Sequence, residues 1–129
     1  MKPPIWILRE TVLALHERLL AEFGGDSGIR DQGLLDSALA RPENLLAYER
    51  PSAAELAASY AFGLIKNHPF VDGNKRIGFA TAVLFLELNG YRFETSEADA
   101  TIQTLALAAG AIDEPSYAAW LRANSRHAK

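Results

Sequence analysis

Apolar residues recur at spacings of three and four along most of the chain, a pattern that predicts helices rather than strands. The first helix is expected from about Arg9 to Phe23. Val12, Leu13, Leu15, Leu19, Leu20 and Phe23 follow the spacing there, and Gly24-Gly25 ends it. A Gly/Asp/Ser loop leads through Gly28 to a short second helix. It opens near Asp31, a good N-cap residue, carries Leu34, Leu35, Ala38 and Leu39, and is expected to stop at Arg41-Pro42, since proline disfavours helical geometry in the residue before it. Residues 43–51 are less regular and read as a turn or a short flap. Ser52-Ala53-Ala54-Glu55 is a capping box, in which each side chain satisfies the other residue's orphan amide. The helix it opens carries Leu56, Tyr60, Phe62, Leu64 and Ile65 to Asn67, where His68-Pro69 must break it.

After the loop from Phe70 to Gly73, a helix is expected from about Asn74 to Asn89. It is apolar on nearly every side beyond its first turn, which predicts the buried centre of a bundle. Gly90 stops it and Tyr91-Arg92-Phe93 reads as extended. Ser96-Glu97-Ala98-Asp99 opens a further helix reaching about Ala109. Pro115 stands near the start of a last one with Tyr117, Trp120 and Leu121. The tail 124–129 reads as frayed. The expectation is an all-α fold: one domain over residues 1–129 with its core roughly at 5–122. About six helices surround a central buried helix, with a small flap at most and little or no sheet.

Composition narrows the class without changing it. The chain has 129 residues, 49% hydrophobic and 22% charged, enough for one core without staples. It has no cysteine, so neither disulfides nor a thiolate metal site contribute. The apolar part of Met1-Lys2-Pro3-Pro4-Ile5-Trp6-Ile7-Leu8 is too short for a secretory leader, and no apolar run is long enough for a membrane span. A net charge of −3 with scattered charges repels phosphate backbones on average. These features predict a soluble cytoplasmic protein with neither nucleic acid nor membrane as partner.

One junction breaks the local rules. Helix N-termini carry partial positive charge and unsatisfied amides, yet the helix after the Phe70–Gly73 loop begins with Lys75 and Arg76 in its first turn. An anion would remove the conflict, because free amides, a helix dipole and two cations together make a receptor for phosphate. Gly73 lets the backbone close around such a ligand. Asp72 adds a carboxylate suited to Mg²⁺, a cation that prefers oxygen ligands. His68, four residues earlier, is a residue type able to take a proton from an attacking hydroxyl, and Phe70 is expected to anchor the loop in the core. Taken singly, each of these residues has an ordinary structural reading: a cap, a helix acid, a solvated pair, a turn. In this order they favour an anion or nucleotide site.

The string HPFVDGNKR at 68–76 resembles the signature of the Fic/Doc family, H-x-F-x-D/E-G-N-x-R, and is most similar to its death-on-curing (Doc) branch. The segments LHERLLAEFGGDSGIRDQGLLDSALARP and AVLFLELNGYRF also look like that family, so the resemblance spans roughly residues 5 to 122. It implies His68 as general base, Asp72 as ligand of the Mg²⁺ that bridges nucleotide phosphates, and Gly73, Asn74, Lys75 and Arg76 as anion nest and cationic clamp, with ATP as donor. Most members transfer AMP; they carry glycine where this chain has Lys75 and a second arginine where it has Phe79. The Doc branch shares the present pattern, which implies a reversed nucleotide, phosphorylation of a protein, and elongation factor Tu as target. Pro69 and Gly73 are typical of AMP-transferring members, so that chemistry stays open as an alternative. A second alternative, from another class, is a catalytically silent module that pairs with an antitoxin or regulator. The family's inhibitory pattern S/T-x-x-x-E-G/N is not found: Glu43-Asn44 is preceded by Leu39 where Ser or Thr is required. By resemblance, restraint would come from a separate antitoxin whose disordered tail folds into a groove.

The remaining candidates receive structural readings. His16 is assigned a structural or surface role, His127 none, and Trp6 and Trp120 packing. Arg30 and Asp31 are expected to cap and pair locally, and 45–51 is either a target-aligning flap or an ordinary loop.

Overall fold

A computed structural model describes residues 2–128, leaving Met1 and Lys129 outside the description. Six α-helices and two short strands follow in order: α1 Arg9–Phe23, α2 Gln32–Tyr48, α3 Ala53–Asn67, α4 Asn74–Leu88, β1 Tyr91–Phe93, α5 Glu97–Ala109, α6 Glu114–Ala123 and β2 Ser125–His127. The expected all-α architecture is present, and most ends obey their local chemistry. The N–H of Gly24 donates to Leu20 O at the end of α1, both halves of the Ser52/Glu55 capping box are made, and Ser96 and Asp113 cap α5 and α6 through Asp99 N and Ser116 N.

Three expectations are corrected. The second helix does not stop at Pro42 but runs through it to Tyr48, so most of the supposed flap is helical. An interior proline costs a helix roughly 3 kcal/mol, and tertiary packing offsets it here. Leu35, Ala38 and Pro42 lie buried along one stripe, and Leu45 and Leu46 extend it against the core. Arg41, just before the proline, is held by Glu114 Oε1 at 2.9 Å and Oε2 at 3.2 Å, and by Ser59 O at 3.3 Å. The tail is not frayed at 125–127, since β2 pairs antiparallel with β1 in the register Tyr91↔His127, Arg92↔Arg126 and Phe93↔Ser125.

The third correction concerns the centre. The most enclosed helix is α3, not α4: α3 packs on α2, α4, α5 and α6 and buries residues on every side. Its many small residues (Ala57, Ala58, Ser59, Ala61, Gly63) let those neighbours approach closely. α4 is apolar all round for a different reason. One face, with Ile77, Thr81, Phe85 and Leu86, joins the core, while Phe79, Ala80, Val83 and Leu84 line an open cleft. Gly78 makes the α3–α4 approach possible, because a Cβ there would stand 2.9 Å from Ile65 Cγ1 and 3.1 Å from Ala61 O.

Candidate functional site

The loop 68–73 connects the two most buried helices, and its backbone is fixed residue by residue. His68 ends α3 in the left-handed region (φ 51°, ψ 53°), the one non-glycine residue with positive φ among the described residues. Holding a non-glycine residue there costs about 1–2 kcal/mol, and such strain collects at functional sites when the surroundings enforce it. Arg30 enforces it: Nε donates to His68 O at 2.7 Å and Nη2 to Asn67 O at 2.9 Å, a cation on the C-terminal carbonyls of α3. This corrects the local role expected of Arg30, whereas Asp31 does cap α2 through Leu34 N. The α1–α2 loop also pairs with the motif through Val71 N to Gly28 O and through Arg30 N and Asp31 N to Pro69 O.

Phe70 inserts into the core with 1% exposure. The Asn74 side chain clasps its backbone, accepting from Phe70 N and donating to Phe70 O, each at 3.0 Å. Asn74 is itself buried, so its side chain holds the loop and only its backbone N–H is left to face a ligand. Gly73 sits as N-cap of α4 with φ 79°, a conformation that favours glycine. No side chain caps α4, and the amides of Asn74, Lys75 and Arg76 have no protein acceptor among the described residues. Lys75 and Arg76 are exposed and form no ion pair there; the Arg76 guanidinium lies 4.3 Å over the ring of Phe23.

Asp72 is exposed at the same mouth. Its Oδ2 accepts from Asp26 N at 3.2 Å and its Oδ1 from Gly73 N at 2.9 Å. The hydrogen bond from Asp26 N, then that from Gly73 N, hold its carboxyl below the usual carboxylate range, with Arg76 adding to the effect. Gly25 permits this approach, since a Cβ there would come 2.9 Å from Asp72 Oδ2. An ionised, exposed oxygen donor beside free amides fits Mg²⁺. No group of three or more acidic or histidine residues that could hold a metal alone occurs among the described residues. A metal at Asp72 would thus need oxygens from a bound phosphate, the usual habit of Mg²⁺.

Of the structural or surface role expected of His16, the structure shows the structural one, though the sequence did not show what it supports. It is buried at 3% exposure, stacks on Phe70 with ring centroids 3.7 Å apart, and its Nε2 lies 2.8 Å from Asp72 O. One signal was available: His16 falls four residues after buried Val12, a polar residue on the face that points inward. Trp6 and Trp120 pack as expected, on Phe85 and on Phe93 and Tyr117. His127 is not idle in packing, since its ring lies 4.7 Å from that of Tyr91.

His68 and residues 72–76 open into one cleft of about 750 Å³, walled by Leu15, Leu19 and Phe23 of α1, floored by α4 and closed by Thr101, Thr104 and Leu105 of α5. The cations stand at the N-terminal end of α4 and Glu87 in its last turn, and Glu97 of α5 also lines the cleft. Phe79 lines it too, its ring packed near Phe93 and Trp120. Among the described residues, no helix is long and apolar enough to cross a membrane.

Residues 6–86 match the model of the Fic/DOC family. Of the curated proteins it resembles, the "Toxin Doc" of Mycolicibacterium smegmatis is 46% identical over 72 residues, covering 53% of this chain and 54% of that protein. The "Protein kinase doc" of Escherichia phage P1 is 34% identical over 116 residues, covering 88% of this chain and 90% of that one. The matched part thus spans little more than half of the first and most of the second.

Proposed function

Since the chain belongs to the Fic/DOC family, we propose that it is a Doc-type toxin that transfers the terminal phosphate of ATP to a hydroxyl of a protein. The observation that carries this reading is the mouth of the cleft. Three free amides, Lys75 and Arg76, the ionised Asp72 and the exposed His68 imidazole converge there from one loop and one helix start. Phosphoryl transfer asks chiefly for positioning and for neutralisation of charge on the phosphate oxygens, so this short segment is sufficient machinery. His68 takes the proton of the attacking hydroxyl. The amides of Asn74, Lys75 and Arg76 and the two side-chain cations hold the phosphate oxygens. Asp72 holds Mg²⁺, which supplies further neutralisation of the phosphates when bound.

Transfer of the terminal phosphate, rather than AMP, is favoured by Lys75 and Phe79. A cation expected for a second phosphate contact is replaced at 79 by a ring packed near Phe93 and Trp120. The name of the phage P1 relative, a protein kinase, points the same way. AMP transfer is kept as a second reading on Pro69 and Gly73, the residues this chain has in common with AMP-transferring members. By the resemblance of the motif, the protein substrate is elongation factor Tu, the consequence is arrest of translation in the cytoplasm, and restraint comes from a separate antitoxin.

A reconstituted translation reaction tests the toxin reading. Added with ATP and Mg²⁺, the wild-type chain should stop synthesis, and His68→Ala should lose that effect by about 100- to 10,000-fold, the usual worth of a general base. Undisturbed synthesis with the wild type, or full arrest by His68→Ala, contradicts it.

A further inference from the structure

The geometry points to His16 as a positioning residue that sets the direction of the Asp72–Gly73 peptide and hence of the amides that follow it. His16 comes from the middle of α1, a different element from the motif it supports. Its Nε2 faces a carbonyl oxygen, Asp72 O, at 2.8 Å. A carbonyl only accepts, so Nε2 carries the proton and donates. That bond turns the Asp72 carbonyl inward, beneath the loop. The N–H of the same peptide, on Gly73, donates to Asp72 Oδ1 and Asp26 N ties Oδ2, so His16 holds the carbonyl side of that peptide and the carboxylate its amide side. The imidazole also lies flat against Phe70, its plane 15° from that ring, so one side chain grips the loop at two residues on either side of Val71. Gly73 follows directly: a Cβ built there would stand 3.5 Å from His16 Nε2, so the imidazole packs under the very turn that starts α4.

A buried polar side chain on a packing face costs stability unless its hydrogen bond is made. Leucine or phenylalanine would fill the space under the loop at less risk. What a histidine adds is a donor at a fixed place on a rigid plane. That is the job of a group supporting ligands from behind, whose loss typically lowers metal affinity or activity about 10- to 100-fold. The inference deepens the reading of the cleft as a phosphate-transfer site and rests on it only where transfer is measured.

The test compares His16→Phe, which keeps the stacked ring and removes the donor, with His16→Gln, whose amide nitrogen can reach the Nε2 position without the ring, and with His16→Ala, which removes both. Hydrogen exchange of the bonded amides of Phe70, Val71 and Gly73 is followed without nucleotide, and Mg²⁺·ATP affinity and transfer are measured beside it. His16→Phe should melt close to the wild type, exchange faster at those three amides alone, and lose affinity or turnover by about 10- to 100-fold. His16→Gln should recover most of both. Wild-type exchange and affinity in His16→Phe would overturn the inference, as would a His16→Gln as impaired as His16→Ala. If His16→Phe does not fold, the comparison of Gln with Ala decides alone. A wild-type chain that transfers nothing would remove the proposed function, while the exchange pattern would still decide the role of His16.

Discussion

At the scale of single residues, the site is a set of small conflicts, each settled by a named neighbour. His68 sits in a left-handed conformation that Arg30 holds from behind. Lys75 and Arg76 oppose a helix dipole that an anion would relieve. Asp72 is the clearest case for measurement. Its folded-state carboxyl is more acidic than the ordinary aspartate value of 3.8, because Asp26 N and Gly73 N both bond the ionised form. A depressed pKa contributes stability that is present above the unfolded value and is lost as pH falls through the folded one. The Asp72 carboxyl carbon, followed by NMR, should therefore titrate below 3.8, and replacing Gly25 with alanine should move it back towards that value by displacing the loop. An unshifted Asp72 in the wild type would contradict the hydrogen bonding described. The motif residues were legible because the conflict is written locally, in a run of nine. His16 and Arg30 were not, because their partners lie 56 and 38 residues away.

At the scale of elements, helix ends were legible wherever a cap encodes them: Gly24, Asp31, Ser52 and Ser96 all act as the sequence suggests. Pro42 misled because its cost is local and its compensation is not. Arg41 meets Glu114, from α6, far along the chain. Strand β2 was illegible for the same reason: Ser125, Arg126 and His127 have no alternation of their own and become a strand only against β1. The ranking of α3 and α4 failed because a cleft floor and a core face are both apolar, and periodicity does not separate them. The close approach of these two helices makes a prediction. Alanine is the better helix former by roughly 0.5–1 kcal/mol, yet Gly78→Ala should be destabilising overall. Its Cβ would press on Ile65 Cγ1 at 2.9 Å and on the Ala61 carbonyl at 3.1 Å. Overpacking of this kind costs about 1–3 kcal/mol. Chemical denaturation should show the midpoint falling, and a rise would mean that the α3–α4 contact is looser than described.

At the scale of the molecule, a net charge of −3 conceals a polar order. Along the cleft, the cations and free amides lie at the start of α4 and the Glu87 carboxylate in its last turn, with an apolar floor between. At about 750 Å³ the cleft is within the usual range of small-molecule sites, roughly 300–1,000 Å³. Its polarity would place a triphosphate at the mouth, beside His68. The fold supplies what the motif cannot: α3 and α4 fix the two ends of the loop, and the α1–α2 segment braces it from outside. The central claim is that this mouth moves a phosphate to a protein hydroxyl. The most direct measurement is the intact mass of elongation factor Tu after incubation with the chain, Mg²⁺ and ATP, beside a His68→Ala control. A gain of about 80 Da, one phosphoryl group, is expected with the wild type alone. A gain of about 329 Da, an adenylyl group, would contradict terminal-phosphate transfer, and an unchanged mass would contradict elongation factor Tu as the substrate.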